Sequence, residues 1–261
     1  MRMVVCMKAV PSTTEVRMDP KTNTIVRDGR QSVVNPFDTA ALEVALELKE
    51  RLGGTVRALS MGIPDTARLL RDAIARGADS ATLLSDRAFA GADTLATSYA
   101  LSLALGEGGE CPDLVLCGKM AVDGDTAQIG PELAGIMGVP CVAGVSEVID
   151  ASEGSLVVRR DTDEGAETVE VPLPAVITVT KDIATLRMPS IAGVRAGEAA
   201  EVEILDAAAA GADRARCGLD GSPTQVVRSF VPERSNEAVE LEGSVCEQAA
   251  GLLRVIEEVA R

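Results

Sequence analysis

Residues 115–135 read VLCGKMAVDGDTAQIGPELAG, and this stretch decides the fold. Its apolar beginning predicts a buried strand, its middle holds two aspartates around Gly124, and its end has the apolar spacing of a helix. The same order of strand and helix occurs earlier in the chain. Buried strands are predicted at residues 3–7, 56–61, 81–85 and 114–117. Strands that alternate with helices of this length predict an α/β fold, a doubly wound parallel sheet with helices on both faces.

The helices between these strands have clear start and stop signals. Pro36 opens a helix that runs to about Leu52, where two glycines end it. Pro64 opens a second helix that ends at Gly77, and Asp93 caps a third. Ligands of such sheets bind beyond the carboxyl ends of the strands, at the switch point of the topology. We therefore expect the ligand loops to follow these strands, and the loop around Gly124 is one of them.

The pattern changes after Pro140. Residues 156–160 and 168–171 predict a β-hairpin around a polar turn, and residues 173–180 predict one more buried strand. This hairpin is an addition to the alternating α/β pattern of the first half.

The end of the chain lacks a regular pattern. Periodicity is lost from about Lys181, and only residues 245–259 again predict a helix. A tail of this length with one helix is unusual for a compact domain. We therefore expect an α/β domain at residues 1–182 and, at residues 183–261, an extended arm that packs on another chain.

Composition excludes several classes of function. The formal net charge is −15, whereas nucleic-acid binding and anionic membrane surfaces both require basic patches. There is no histidine, which excludes Ser-His-Asp and Cys-His nucleophiles and His-ligated metals. None of the six cysteines forms a C-x-x-C pair, so no zinc or iron–sulfur site is expected. This cysteine usage fits a reducing compartment.

No membrane insertion is expected. No segment approaches the roughly 20 apolar residues of a membrane span. The first apolar run is too short for a signal peptide, and Lys8 ends it. We therefore expect a cytoplasmic protein.

The loop around Gly124 has features of a site for a phosphate-bearing ligand. Gly124 allows the backbone to approach a ligand closely. Asp125 or Thr126 is expected to cap the following helix, whose free N–H groups would face the ligand. Asp123 is expected to accept from a ribose or ring N–H, or to support Lys119. An ordinary capped turn explains the same spacing, and neither G-x-G-x-x-G nor G-x-x-x-x-G-K-[ST] is present.

Four stretches together resemble a known family. They are KAVPSTTEVR at 8–17, NPFDTAALE at 35–43, GKMAVDGDTAQ at 118–128 and VVRRDTDEGAETVEVPLPAVITV at 157–179. Over essentially its whole length, the chain resembles the small (beta) subunit of electron transfer flavoproteins. This resemblance implies a Rossmann-like, adenine-nucleotide-binding fold in a heterodimer. The C-terminal arm would embrace a large (alpha) subunit that carries the electron-transferring FAD.

The resemblance implies one of two nucleotides in the small subunit. In the respiratory type, which serves acyl-CoA dehydrogenases, it is a structural AMP. In the electron-bifurcating type it is a second FAD that takes a hydride from NADH. One electron then goes to ferredoxin or flavodoxin, and the other goes through the large-subunit FAD to an acyl-CoA dehydrogenase.

This sequence resembles the bifurcating type more closely. The motif DGDTAQ, ADTLATS at 92–98 and GSPTQV at 221–226 are similar to that branch. FAD extends beyond AMP by a phosphate, a ribityl chain and a tricyclic ring, and the small residues Gly124, Thr126 and Ala127 leave room for it. FAD is therefore the expected cofactor, with AMP as the alternative.

The resemblance also implies which residues bind the cofactor and which dock on a partner. The cofactor-binding positions are Cys6, Asn35, Pro36, Phe37, Asp38, Met61, Asp93, Thr94, Thr97, Gly118, Ala121, Val122, Asp123, Gly124, Asp125, Thr126, Ala127, Gln128, Ile129, Ser222 and Thr224. Ile191, in RMPSIAG at 187–193, matches the loop that docks on partner dehydrogenases. Thr13 aligns where the family approaches the large-subunit flavin, and no catalytic side chain is expected because a bound flavin does the redox chemistry.

A third reading belongs to another class of protein. A stand-alone adenine-nucleotide sensor would share the fold. Such a sensor should fold as a compact domain without residues 218–261, whereas a subunit should need its partner.

Overall fold

The computed structural model describes residues 1–12, 32–106, 111–227 and 240–259. Thr13 lies outside these residues. The chain divides into two compact units, Met1–Val226 and Val227–Arg261. The helices, strands and sheets are those of the described residues.

The strands and helices follow the predicted alternation over the first half of the chain. In chain order the strands are β1 (Arg2–Cys6), β2 (Ala9–Pro11), β3 (Ser32–Val34), β4 (Thr55–Met61), β5 (Ser80–Leu84), β6 (Leu114–Gly118), β7 (Cys141–Ala151), β8 (Ser155–Thr162), β9 (Gly165–Pro172), β10 (Ala175–Val179) and β11 (Glu203–Leu205). The helices are α1 (Pro36–Leu52), α2 (Ala67–Arg76), α3 (Thr94–Leu103), α4 (Ile129–Met137), α5 (Ile191–Ala199) and α6 (Val245–Val259). Helix α6 belongs to the second unit.

One large sheet organises the first unit. Its strand order is β11-β5-β4-β1-β6-β10-β7-β8-β9, and β2 pairs with β3 in a separate small sheet. Every pair from β11 to β7 is parallel, whereas β8 and β9 add an antiparallel hairpin. The chain continues from β1 to β4 on one side and later to β6 on the other. The topology therefore switches beside β1, where ligands of open α/β sheets bind.

Helices cover both faces of this sheet, as the apolar runs predicted. On one face, Val5 packs in a buried cluster with Leu42 of α1 and Leu70 of α2. On the other face, Cys6 packs with Tyr99 of α3 and Leu133 of α4. Successive side chains of a strand point to opposite faces, so a strand that is apolar throughout must be covered on both. The predicted α/β fold class is confirmed.

The prediction of an irregular chain after Lys181 was wrong in part, because helix α5 and strand β11 lie there. The sequence did not predict α5, because Gly193 and Gly197 lower the helix propensity of this segment. They also allow it to pack closely on α2: a Cβ at Gly193 would lie 2.2 Å from the carbonyl oxygen of Ala75. Strand β11 has three residues, too few for a periodic pattern, and is stabilised by pairing with β5.

The first compact unit continues to Val226, beyond the boundary predicted at residue 182. That residues 183–261 pack on another chain stays a prediction. Strand β7 was also not predicted from the sequence. Among the described residues, no helix is both long and apolar enough to cross a membrane. The same part of the chain contains no group of three or more His, Cys, Asp or Glu side chains able to hold a metal ion.

Candidate functional site

The start of α1 connects the ends of β1 and β6. The buried carboxylate of Asp38 accepts hydrogen bonds from the backbone N–H of Lys8 at 2.7 Å and of Gly118 at 3.1 Å. Burial raises the pKa of Asp38 to about 7, although the hydrogen bonds from Lys8, Asn35 and Gly118 act to lower it. A Cβ at Gly118 would lie 2.3 Å from Asp38 Oδ1 and 2.5 Å from Phe37 Cβ. Glycine is therefore required at the end of β6 by close packing on α1.

Asn35 holds the first half of the loop that follows β6. Its buried side chain donates from Nδ2 to the Met120 carbonyl at 2.9 Å and accepts at Oδ1 from the Val122 N–H at 3.2 Å. Asn35 and Asp38 thus use their side chains to fix backbone at the carboxyl edge of the sheet. That they also contact a cofactor stays a prediction.

Lys8 is a member of this site that the sequence did not indicate. Its Nζ lies 2.6 Å from Asp123 Oδ1, and the Asp123 side chain is only 7% exposed. The ion pair joins the segment after β1 to the middle of the loop after β6. A signal was available, because Lys8 follows the first predicted strand directly and so lies at the edge where ligand loops are expected.

The middle of the loop is exposed and has an unusual backbone. The N–H groups of Gly124 and Asp125 both donate to the Ala121 carbonyl, at 3.1 and 2.8 Å. Asp125 and Ala127 have φ angles of 51° and 55°, a region that non-glycine residues seldom adopt. Residues 124–128 are all exposed. Uncommon backbone conformations of this kind cluster at ligand sites.

Helix α4 begins at this loop without a side-chain cap. The residue at the N-cap position is Gln128, and no side chain there accepts from the helix. The prediction that Asp125 or Thr126 caps the helix was wrong, because the helix begins at Ile129, beyond the reach of either residue. The N–H groups of Ile129 and Gly130 therefore keep their capacity to bind an external acceptor, whereas Pro131 has no N–H and the Glu132 N–H donates to the Gln128 carbonyl.

A second cluster surrounds the start of α3. Asp93 caps this helix by accepting from the Ala96 N–H at 3.1 Å, and it also accepts from the N–H and hydroxyl of Thr224 at 3.1 and 2.8 Å. The Asp93 N–H donates to Ser222 Oγ at 2.8 Å. Partial burial acts to raise the pKa of Asp93, but hydrogen bonds from Ala96 and Thr224 outweigh it, so the pKa lies below its usual value. The predicted residues Asp93, Ser222 and Thr224 are therefore in direct contact.

Thr94 connects the two clusters. Its hydroxyl lies 3.1 Å from Gln128 Oε1 and 2.9 Å from Glu132 Oε1. Ser98, one turn further along α3, donates to Glu132 Oε2 at 2.7 Å. Thr97 lies between Thr94 and Ser98 in the sequence, and its side chain is half-buried. Glu132 was not predicted, although its place in the first turn of α4 is typical of an acidic residue.

Cys6 and Met61 lie at the ends of the adjacent strands β1 and β4. Cys6 is buried beside Cys117, and Met61 packs partly buried against the same apolar cluster. Contact with the Cys6 thiol and burial raise the pKa of the Cys117 thiol. These side chains therefore form an apolar lining at the switch point of the sheet.

Ile191 takes no part in these contacts. It is the first residue of α5, and 79% of its surface is exposed. Met188, three residues earlier, is 84% exposed and was not predicted. The signal for Met188 was present in the same motif, since it is an apolar residue beside a proline. The structure thus has two regions of interest: a polar loop cluster and an apolar segment at the start of α5.

Comparison with known proteins identifies the family. Residues 22–214 match the electron transfer flavoprotein domain. The chain belongs to the electron transfer flavoprotein family. It is 42% identical over 254 residues to the electron transfer flavoprotein subunit beta of Thermoanaerobacterium thermosaccharolyticum, covering 97% of this chain and 96% of the relative.

Two further relatives support the same assignment within the electron transfer flavoprotein family. The electron transfer flavoprotein subunit beta of Megasphaera elsdenii is 44% identical over 239 residues, with 89% of this chain and 88% of the relative covered. The caffeyl-CoA reductase-Etf complex subunit CarD of Acetobacterium woodii is 41% identical over 254 residues, with 97% and 96% covered. The predicted membership in the beta-subunit branch of the electron transfer flavoproteins is confirmed.

Proposed function

We propose that this chain is the small subunit of a heterodimeric electron transfer flavoprotein and that it binds FAD at residues 118–129. The observation that carries this proposal is the uncapped start of α4 behind an exposed loop with positive φ at Asp125 and Ala127. Backbone N–H groups in such a loop and at a helix start bind phosphate oxygens without basic side chains. This mode of binding suits a chain with a net charge of −15.

The second cluster favours FAD over AMP. Asp93, Ser222 and Thr224 are joined to the loop through the contact between Thr94 and Gln128. Polar groups are thus present beyond the loop at residues 118–129. AMP, with a single phosphate, would need only that loop, whereas the larger FAD would extend past it. A Cβ at Gly124 would meet nothing within 4 Å, so the middle of the loop is open. AMP remains the alternative, because the contacts made by Asn35 and Asp38 suit either nucleotide.

The side chains of this subunit have supporting roles. Asn35, Asp38 and Lys8 fix the loop, and the start of α4 provides donors for phosphate. When bound, the flavin supplies the redox chemistry that these side chains lack, with NADH as hydride donor and with ferredoxin or flavodoxin and the FAD of the large (alpha) subunit as electron acceptors.

We also propose an acyl-CoA dehydrogenase as the final partner. Its contact surface would include Met188 and Ile191, because exposed apolar side chains on an ordered segment are suited to anchor a protein interface. The name of the relative from Acetobacterium woodii places that protein in a caffeyl-CoA reductase-Etf complex. All six cysteines are free, which supports a cytoplasmic location.

Nucleotide analysis of the heterodimer tests this function. The chain is co-expressed with its large subunit, the complex is denatured, and FAD and AMP are quantified by chromatography. Two FAD and no AMP per heterodimer are expected. One FAD and one AMP would instead show a respiratory-type subunit, and a chain that forms no heterodimer would favour the nucleotide sensor.

A pair of glycine variants tests the location of the site. Gly124→Leu places a large side chain in the open loop and should reduce the FAD content to about one per heterodimer. Gly135→Leu is the matched control, because a Cβ at Gly135 of α4 also meets nothing within 4 Å. Equal FAD contents in the two variants would place the nucleotide elsewhere.

A further inference from the structure

Arg187 fixes the segment that carries Met188 and Ile191. Its Nε donates to Glu43 Oε1 at 2.9 Å and to Oε2 at 3.1 Å, and its Nη2 donates to Oε1 at 2.8 Å. Its backbone N–H also donates to Glu43 Oε2 at 2.9 Å. The Glu43 side chain is only 7% exposed. Several charge-assisted hydrogen bonds between two planar groups define both distance and orientation.

Further contacts hold this segment against the helices below it. Arg76 of α2 donates to the carbonyl of Arg187, and Glu50 of α1 accepts from the Arg187 guanidinium. Further on, a Cβ at Gly197 would lie 2.6 Å from the carbonyl oxygen of Arg71 in α2. The segment is thus attached at both ends, while Met188 and Ile191 between them stay exposed.

Glu43 lies on α1, the helix whose first residues also hold the candidate cofactor loop at residues 118–129. Helix α1 begins with Asn35 as its N-cap residue and Asp38 in its first turn, and both side chains hold backbone at that loop. Glu43 follows Asp38 by little more than one helical turn. One buried helix therefore fixes both the candidate cofactor loop and the start of the exposed segment.

An ion pair between a buried carboxylate and a partly exposed guanidinium adds little net stability to a fold, because the loss of hydration offsets much of the attraction. Its attested use is to specify one arrangement among several. The pair between Glu43 and Arg187 joins residues 144 positions apart in the sequence. It determines where the chain after β10 meets α1.

We infer that Arg187 is a positioning residue for partner docking, which through its pair with Glu43 holds Met188 and Ile191 in a fixed place relative to α1. This inference rests on the proposed docking function of Met188 and Ile191. The partner it fits is a redox protein with an apolar recess that receives these two side chains. Arg187 itself need not touch that partner.

The test uses the heterodimer and a purified acyl-CoA dehydrogenase as the electron acceptor. Arg187→Met should raise the KM for the dehydrogenase about tenfold, as expected when an anchor loses its position, while kcat and FAD content stay near wild type. Arg187→Lys keeps the charge without the planar fork and should recover only part of this loss. Amide hydrogen exchange of residues 188–199 should become faster in Arg187→Met.

The controls separate docking from folding. Arg51→Met removes an exposed arginine of α1, the helix that carries Glu43, and should leave the KM unchanged; the Arg51 guanidinium lies 3.5 Å from the Asp150 carboxylate. The double variant Glu43→Gln/Arg187→Met leaves no buried carboxylate unpaired, because Glu50, which also loses its contact with Arg187, is exposed to solvent. It should fold and still show the raised KM.

Two docking variants separate this inference from the proposed function. A raised KM in Met188→Ala and Ile191→Ala, with wild-type KM in Arg187→Met and in the double variant, overturns the role of Arg187 alone. A wild-type KM in all four variants overturns the docking function and this inference with it. Loss of FAD in parallel with the rise in KM would show a merely structural role and also overturn the inference.

Discussion

Replacing Asp38 by asparagine should change how the stability of the protein depends on pH. Asp38 is buried, and burial raises its pKa from 3.8 to about 7. A shift of one unit corresponds to 1.36 kcal/mol, so the ionised carboxylate opposes folding by about 4 kcal/mol as an upper limit. Asparagine stays neutral at every pH and so removes the free-energy cost of burying an ionised carboxylate. It has one acceptor oxygen for the two N–H groups of Lys8 and Gly118, which costs about 1–3 kcal/mol at every pH.

The direction in which the free energy of unfolding changes with pH follows from the number of protons bound in the folded and in the unfolded state. Below about pH 4 the carboxyl is protonated in both the folded and the unfolded chain, and the full stability is present. Between about pH 4 and pH 7 the folded state binds the proton and the unfolded state does not, so the free energy of unfolding falls as the pH rises. We therefore expect Asp38→Asn to be less stable than the wild type near pH 4 and to equal or exceed it above pH 7.

Urea unfolding of both proteins at several pH values between 4 and 8 measures this difference. Asp125→Asn, at an exposed position of the nearby loop, controls for the removal of one negative charge. The relevant quantity is the difference in free energy of unfolding between variant and wild type. A difference that stays constant from pH 4 to pH 8 would refute the reasoning, because it would mean that folding does not perturb the Asp38 carboxyl.

Three further variants test the packing and charges around the loop. Ser60→Ala should stabilise the protein by about 1 kcal/mol, since the buried Ser60 hydroxyl has no hydrogen-bond partner among the described residues. A thermal unfolding midpoint below that of the wild type would contradict this. Gly118→Ala should destabilise by about 1–3 kcal/mol and lower nucleotide content, because its Cβ would overlap Asp38 and Phe37; wild-type stability in urea would be the opposing result. Lys8→Met removes the ion pair of the mostly buried Asp123 and should cost about 1–2 kcal/mol, with weaker nucleotide retention on gel filtration; undiminished retention would exclude a role for Lys8 in the site.

Local signals explain how much of the fold was predictable. Helix α1 has the bounds that its proline and double glycine predicted. The hairpin of β8 and β9 was likewise visible in its alternating residues and polar turn. Helix α5 was not visible, because its two glycines are unfavourable in an isolated helix and become useful only against α2.

The candidate site was predictable to a different degree. The motif around Gly124 located the loop, and the resemblance to the electron transfer flavoproteins gathered distant residues such as Asp93 and Thr224, which are in contact. The N-cap position of α4 was misjudged by two or three residues, the ordinary error for an element boundary. The ion pair of Lys8 with Asp123 could not be read from the sequence, since 115 positions separate the two residues.

The sequence by itself determined the class of fold, the alternation of strands and helices in the first half of the chain, and the loop at the carboxyl edge of the sheet. It could do so because apolar periodicity, prolines and glycines act over a few residues. Only the tertiary structure decided that Asp38 becomes a buried carboxyl, that α4 begins uncapped, and that Arg187 meets Glu43. Burial and pairing of charges depend on segments brought together from distant parts of the chain, so they arise only when the sheet and its helices are assembled.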